Sequence, residues 1–343
     1  MTFINDNEIS PPPGIVSTIK SGFDITSKQI GIILFPLLLD IFLWLGPHLS
    51  ISNLLYSAQT QLEMLVSKEL IGATDIKIYQ EMLTELIAQD INIFSLLRTF
   101  PIGISSIMHQ IPASASPLGD VISYQIGSDW EFLLWFGMLT IIGWILGSIY
   151  FAYVAKVSVT KVSVANTAVE NDGQDFRWLI KTILQASALS VVLIIALIAF
   201  GLPLFLFFAV FMQINATLAQ IVFLLLVFFA MWLIVPIFFS AHGIFIKEEN
   251  FFRSILSSIH LSRFTLPTCS FFIISIIVLA QGFNILWLTP SSSTWMMLVG
   301  ILGHAFITTA LLSASFIYYY DMNVWLETVL EKLDSQKAST QTQ

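Results

Sequence analysis

Six stretches of the chain are dense in apolar residues and are parted by breaks rich in charge or in turn-forming residues. They run Gln29 to Leu49, Phe132 to Val154, Ile183 to Phe211, Leu218 to Ser240, Thr268 to Leu288 and Trp295 to Tyr319. Each is near or above the roughly 20 residues that a helix needs to cross a bilayer. A spanning strand would alternate lipid-facing and polar positions, whereas Phe223 to Phe239 is apolar throughout, so helices are the form expected. The pattern predicts an all-α fold: a six-helix transmembrane bundle over residues 29–322, an N-terminal segment 1–28 and a tail 323–343.

Finer features follow from the same pattern. The third stretch, about 29 residues or roughly 43 Å by helical rise, is too long for an upright crossing, and Gly201 and Pro203 are expected to kink it. Gly143 and Gly147 form a G-x-x-x-G in the second stretch, which permits close helix packing inside the bundle or, less expectedly, between copies. Ahead of the first and fifth stretches lie two segments that align without gaps. Ile15, Val16, Ile19 and Phe23 fall on Phe251, Phe252, Ile255 and Ile259 and mark one helical face. Phe176, Leu179, Ile180 and Ile183 offer a looser third copy. The reading is three repeats, each an interfacial helix followed by a helical hairpin; the plainer alternative is that any loop re-entering a membrane tends to be amphipathic.

The long loop 50–129 shows helical spacing twice, at Ile51, Leu54, Leu55, Ala58, Leu62 and Leu65, and at Tyr79, Leu83, Leu86, Ile87 and Phe94. Pro101, Pro112 and Pro117, with Gly103 and Gly119, then break the pattern. Two amphipathic helices and an irregular return are expected. They form either a cap over the bundle or a surface for a protein partner. Residues 91–111 could also dip toward the membrane, although Arg98 and Pro101 argue against a full crossing. The tail is expected to begin as an amphipathic helix on Val324, Trp325, Thr328, Val329 and Leu333 and to end as a disordered Ser/Thr/Gln stretch.

Composition sharpens this picture. Hydrophobic residues make up 56% and charged ones 10% of 343 residues, against roughly 45–50% and about 25% in soluble domains, so membrane lipids are the expected surroundings. A net charge of −8 removes the basic footprint of a nucleic-acid binder. The start Met-Thr-Phe-Ile-Asn-Asp-Asn-Glu, with Pro11, Pro12 and Pro13, lacks the basic n-region of a cleavable signal, so the first stretch is expected to remain as a span. The four segments on one side hold 2, 4, 3 and 2 Lys/Arg while the two short opposite loops hold none, which places both termini in the cytoplasm of a cell membrane.

Candidate chemistry is sparse. Asp40 lies between Leu39 and Ile41 inside the first stretch, where a carboxylate needs a partner or a proton. It is either a proton or cation relay or a structural acceptor. His304 in the sixth stretch, with Thr308 a turn later, and Gln281 and Asn284 at i, i+3 on the fifth could line one polar seam with Asp40, although such groups more often serve as interhelical packing. The single cysteine, Cys269, rules out an intrachain disulfide, and the scattered histidines have no ligand spacing, so neither a metal site nor a cofactor is expected. The sequon Asn215-Ala216-Thr217 sits too near the bilayer to be read as glycosylated.

Gly22-Phe23 followed by Leu37-Leu38-Leu39-Asp40, and Ser254 to Arg263 leading into the fifth stretch, resemble a group of uncharacterised bacterial polytopic proteins. These are similar in pattern to the membrane domain attached to some glycerophosphodiester phosphodiesterases. The resemblance implies a helical membrane fold. The soluble phosphodiesterase domain, with its catalytic histidines and carboxylates, has no counterpart in these residues, so the activity is not implied. A non-enzymatic scaffold or accessory subunit is the function expected first, a small-solute or lipid transporter second and an intramembrane enzyme third.

Overall fold

The computed structural model describes residues 11–67, 73–111, 116–119, 121–160 and 172–341; Pro112, named above as a pattern breaker, lies outside them. Among the described residues, ten α-helices run Ile15–Lys28 (α1), Leu34–Leu45 (α2), Ser52–Ser67 (α3), Ala73–Ala88 (α4), Asp129–Thr160 (α5), Asp172–Ala196 (α6), Leu202–Ile214 (α7), Ala216–Ile246 (α8), Phe251–Trp287 (α9) and Met297–Gln341 (α10). Among the described residues, five helical stretches are long and apolar enough to cross a membrane, and the α1–α2 pair, bent by 95°, would make six. The chain is an all-α, multi-pass membrane protein.

The first stretch is shorter than its hydrophobicity implies. A 3₁₀ turn at Ile30–Ile33 leads into α2, and Gly46-Pro47 ends it. In the third stretch the irregularity is a π-helical turn at Leu197–Gly201 joining α6 to α7. It sits just ahead of Pro203, whose missing N–H and ring leave Ala199 without its ordinary partner. Asn215 caps α8, its Oδ1 accepting from the N–H groups of Thr217 and Leu218 at 2.8 and 3.2 Å, which gives the sequon asparagine a structural use. The tail does not end in disorder, because α10 continues to Gln341. No glycine or proline follows Gly303 to stop it.

The chain forms two compact units. One contains residues 1–30, 151–280 and 309–343, the other 31–150 and 281–308. In the first, α10 supplies the core: Ala310, Leu311, Ala314 and Phe316 to Tyr319 are buried, and the Tyr318 ring stacks on Phe272 at 3.8 Å.

The repeat is visible here in the pattern of burial. At the offset set by the apolar positions, the buried residues of α1, α6 and α9 coincide: Thr18, Gly22, Ile25 and Thr26 match Thr182, Ala186, Leu189 and Ser190, and match Ser254, Ser258, Leu261 and Ser262. Val16, Ile180 and Phe252, the equivalent apolar residues, are 81%, 44% and 62% exposed. Lipid is as apolar as these side chains, so small and hydroxyl residues go inward, where backbones can approach. Gly22 meets the carbonyl of Ala310 and the side chain of Ala314. Ser258 and Ser254 donate to the carbonyls of Pro236 and Ser240 at 2.6 and 2.5 Å. Helix α1 stops at Lys28, and α9 breaks at Thr265, the position equivalent to the α1 cap Gln29.

In the second unit, α3 and α4 form the expected amphipathic pair. A short parallel sheet, His48–Ser50 (β1) against Ser123–Gln125 (β2), ties the two ends of the long loop. Leu49, Ile93, Ile126 and Leu139 form its small core. Ser128 and Glu131 close the first turn of α5: Glu131 N–H donates to Ser128 Oγ, and Gly127 N–H to Glu131 Oε2.

Gly143 and Gly147 do not pack against another α-helix; Gly143 lies against the end of a 3₁₀ turn, Ile93–Leu97, and Gly147 against the chain that follows it. A Cβ on Gly143 would meet Thr99 Cγ2 and the Leu97 carbonyl at 2.5 and 2.8 Å; one on Gly147 would meet Gly103 Cα at 2.7 Å. Gly143 lies roughly 21 Å along α5 from Asp129 by helical rise, so the chain from the end of that turn to Gly103, irregular from Arg98 on, runs deep beside the helix. Replacing Gly147 with leucine is expected to cost on the order of 1–3 kcal/mol by overpacking, seen as a lowered thermal unfolding midpoint. An unchanged midpoint would mean the segment does not lie there.

Candidate functional site

Irregular backbone at membrane depth survives only where its polar groups are satisfied by protein or by a watery cavity. Asp40 satisfies the backbone that follows this segment, at residues 106–108. It stands on the buried face of α2 with Pro36, Leu43 and Trp44, and is itself fully buried. Its Oδ1 accepts from Ser106 Oγ at 2.5 Å, Ile107 N at 3.0 Å and Met108 N at 3.3 Å; Oδ2 accepts from Ile107 N at 3.3 Å. A hydrogen bond contributes roughly 0.5–1.5 kcal/mol, and losing the partner of a buried donor costs about 1–3 kcal/mol. Arg98, on the same irregular segment, is close enough to act electrostatically on the carboxylate. In the sequence Arg98 argues only against a full crossing; that it lies near enough to the one carboxylate of α2 to act on it carries no local sequence signal.

The polar seam assembles in part. His304 Nδ1 lies 2.9 Å from Asn284 Oδ1, joining α10 to α9. Its other ring nitrogen, Nε2, is buried without a hydrogen-bond partner. Thr308 donates back to the His304 carbonyl within its own helix at 2.8 Å. Gln281 is exposed, so the i, i+3 spacing that aligned it with Asn284 does not bring it inside. Asp40 and His304 share no bond; Arg98 acts electrostatically on both.

Beside Asp40 opens a cleft of about 400 Å³, lined among others by Trp44, His48, Asp90, Asn92, Met108, His109 and Ser292. Its walls are tightly held. Trp44 Nε1 donates to the Ser292 carbonyl at 2.7 Å, and Asp90 accepts from Ser50 and Ser52 hydroxyls at 2.6 and 3.2 Å. Asn92 Oδ1 accepts from Leu49 N and Phe94 N, both at 3.1 Å. His109 Nδ1 lies 2.6 Å from the Ser106 carbonyl, so the cleft and the Asp40 bonds share one stretch of backbone. No group of three or more His, Cys, Asp or Glu that could hold a metal lies among the described residues. Comparisons with protein-family models, with curated proteins and with solved structures give no match.

Burial holds both cleft histidines below the ordinary histidine pKa; Arg98 adds to this for His109, while Asp90 and a bond to the Leu43 carbonyl partly offset it for His48. Below about pH 6.5 the unfolded chain therefore takes up protons that the folded one resists, and stability falls with pH. The thermal midpoint is expected to drop between pH 7 and pH 5, and His48→Gln with His109→Gln to flatten part of that slope. An identical slope in the double variant would clear the histidines of any part in it.

Proposed function

We propose that the chain is a non-enzymatic membrane scaffold or accessory subunit. The observation carrying this reading is the use made of Asp40: the carboxylate that would be the first choice for chemistry is engaged by a hydroxyl and two backbone N–H groups. Its work is to hold a loop. The α3–α4 pair and the cleft beside it form the surface offered to a protein partner, and the likeness to phosphodiesterase-attached membrane domains belongs to the same proposal.

A transporter of small solutes or lipids is the second reading. It is favoured by the unpartnered His304 Nε2 and by irregular backbone at depth, which in membranes often lines a pathway. Asp40→Asn separates the two. In the scaffold reading it lowers the thermal midpoint, by an amount on the order of 1–3 kcal/mol, and leaves proton flux into reconstituted vesicles at the background of empty ones. A wild-type proton flux abolished by Asp40→Asn, with the midpoint unchanged, would establish transport instead.

Both termini are proposed to be cytoplasmic, from the distribution of basic residues. In a Cys269→Ser background, a cysteine replacing Ala216 should react with an impermeant thiol reagent added outside intact cells, and one replacing Glu248 should not. The reverse labelling overturns the orientation.

A further inference from the structure

The internal repeat provides a comparison within the chain. The first part of α9, up to the break at Thr265, has one face buried through Ser254, Ser258, Leu261 and Ser262. Its opposite side carries Arg253, His260 and Arg263, all exposed, at i, i+7 and i+10 and therefore on one helical face. Around them Phe252, Leu256, Ile259 and Phe264 are 62%, 51%, 48% and 50% exposed. The Arg263 guanidinium sits 5.9 Å from the Phe264 ring centroid, and His260 meets the same ring edge-on at 5.1 Å. No acidic residue occurs anywhere in α9.

At the equivalent positions α1 carries Ser17, Asp24 and Ser27, although its inward face follows the same register. α6 carries Lys181, Ala188 and Val191 there. Packing of the repeat therefore does not require the basic set, since a copy without it is buried in the same way. The cations are an addition to α9, in a chain whose net charge is −8. The nearest acids in sequence, Glu248 and Glu249, precede the helix; Glu249 has one oxygen buried, close to Gly243. A basic set flanked by exposed aromatic and aliphatic side chains matches an anionic phosphate above acyl chains.

We propose that the first segment of α9 binds an anionic phospholipid, with Arg253, Arg263 and His260 on the phosphate and Phe252, Leu256, Ile259 and Phe264 along the chains. The test is native mass spectrometry of the full chain in detergent, titrated with phosphatidylglycerol or with phosphatidylcholine of the same acyl composition. The wild type should bind the anionic lipid more tightly. Arg253→Ser with Arg263→Ser, which follows the α1 residues, should remove most of that preference, roughly 25-fold if each cation near an anionic lipid is worth about fivefold. Its unfolding midpoint in phosphatidylcholine should stay at the wild-type value. The converse Ser17→Arg, Asp24→His, Ser27→Arg should gain a preference on α1. Millimolar glycerol 3-phosphate should not displace the lipid, because it has no chains for the apolar residues to hold. A wild type without preference, or a double serine variant that retains it, overturns the proposal; displacement by glycerol 3-phosphate would assign the site to free phosphate esters.

Discussion

A carboxylate withdrawn from water must be surrounded by donors, and backbone N–H groups withdrawn from water must find acceptors. Asp40 and the 106–108 backbone meet both requirements with each other. The consequences extend along the segment. Once Ile107 and Met108 are held, the chain between Leu96 and Gly103 can lie against α5, where Gly143 and Gly147 leave no side chain in its way. Without that anchor the irregular backbone would have unsatisfied groups at membrane depth. The glycine pair and the aspartate, separate features in sequence, serve one loop.

A second constraint organises α1, α6 and α9. Between helices in lipid the hydrophobic effect supplies little drive, and close approach of backbones with hydroxyl-to-carbonyl bonds takes its place. The three copies share an inward set of threonine, serine, glycine, alanine and one branched aliphatic residue, while Val16, Ile180 and Phe252, equivalent large apolar residues, face outward. This is the reverse of a soluble amphipathic helix. It also frees the outward face to vary between copies, which is how α9 can carry cations that α1 lacks.

Much of the architecture was legible from the chain. Hydropathy located the helices, because a bilayer admits few other forms. The apolar alignment of Ile15, Val16 and Ile19 with Phe251, Phe252 and Ile255 gives the offset at which the buried faces coincide; of these residues Val16 and Phe252 are exposed and the rest half-buried. The periodicity of Ile51 to Leu65 and of Tyr79 to Phe94 gives α3 and α4, although α4 ends at Ala88 and Phe94 falls in the 3₁₀ turn Ile93–Leu97. What escaped the reading was set by contacts distant in sequence. The β1–β2 pairing joins residues about 75 positions apart, and neither strand is long enough to show a period. Asp40 was identifiable as a residue needing a partner, but nothing near it names Ser106. His304 and Asn284 do meet, whereas Gln281, one turn from Asn284, stays exposed; helical spacing alone could not tell which side of α9 faces α10.

The structural role of Asp40 depends on whether its carboxylate holds the 106–108 backbone. Amide hydrogen–deuterium exchange of the wild-type protein in lipid discs measures this directly. The Ile107 and Met108 amides should exchange as slowly as the interior amides of α5, although they lie outside any α-helix. Exchange at the rate of an open loop would show that the carboxylate does not hold them, and the structural role assigned to Asp40 would be wrong.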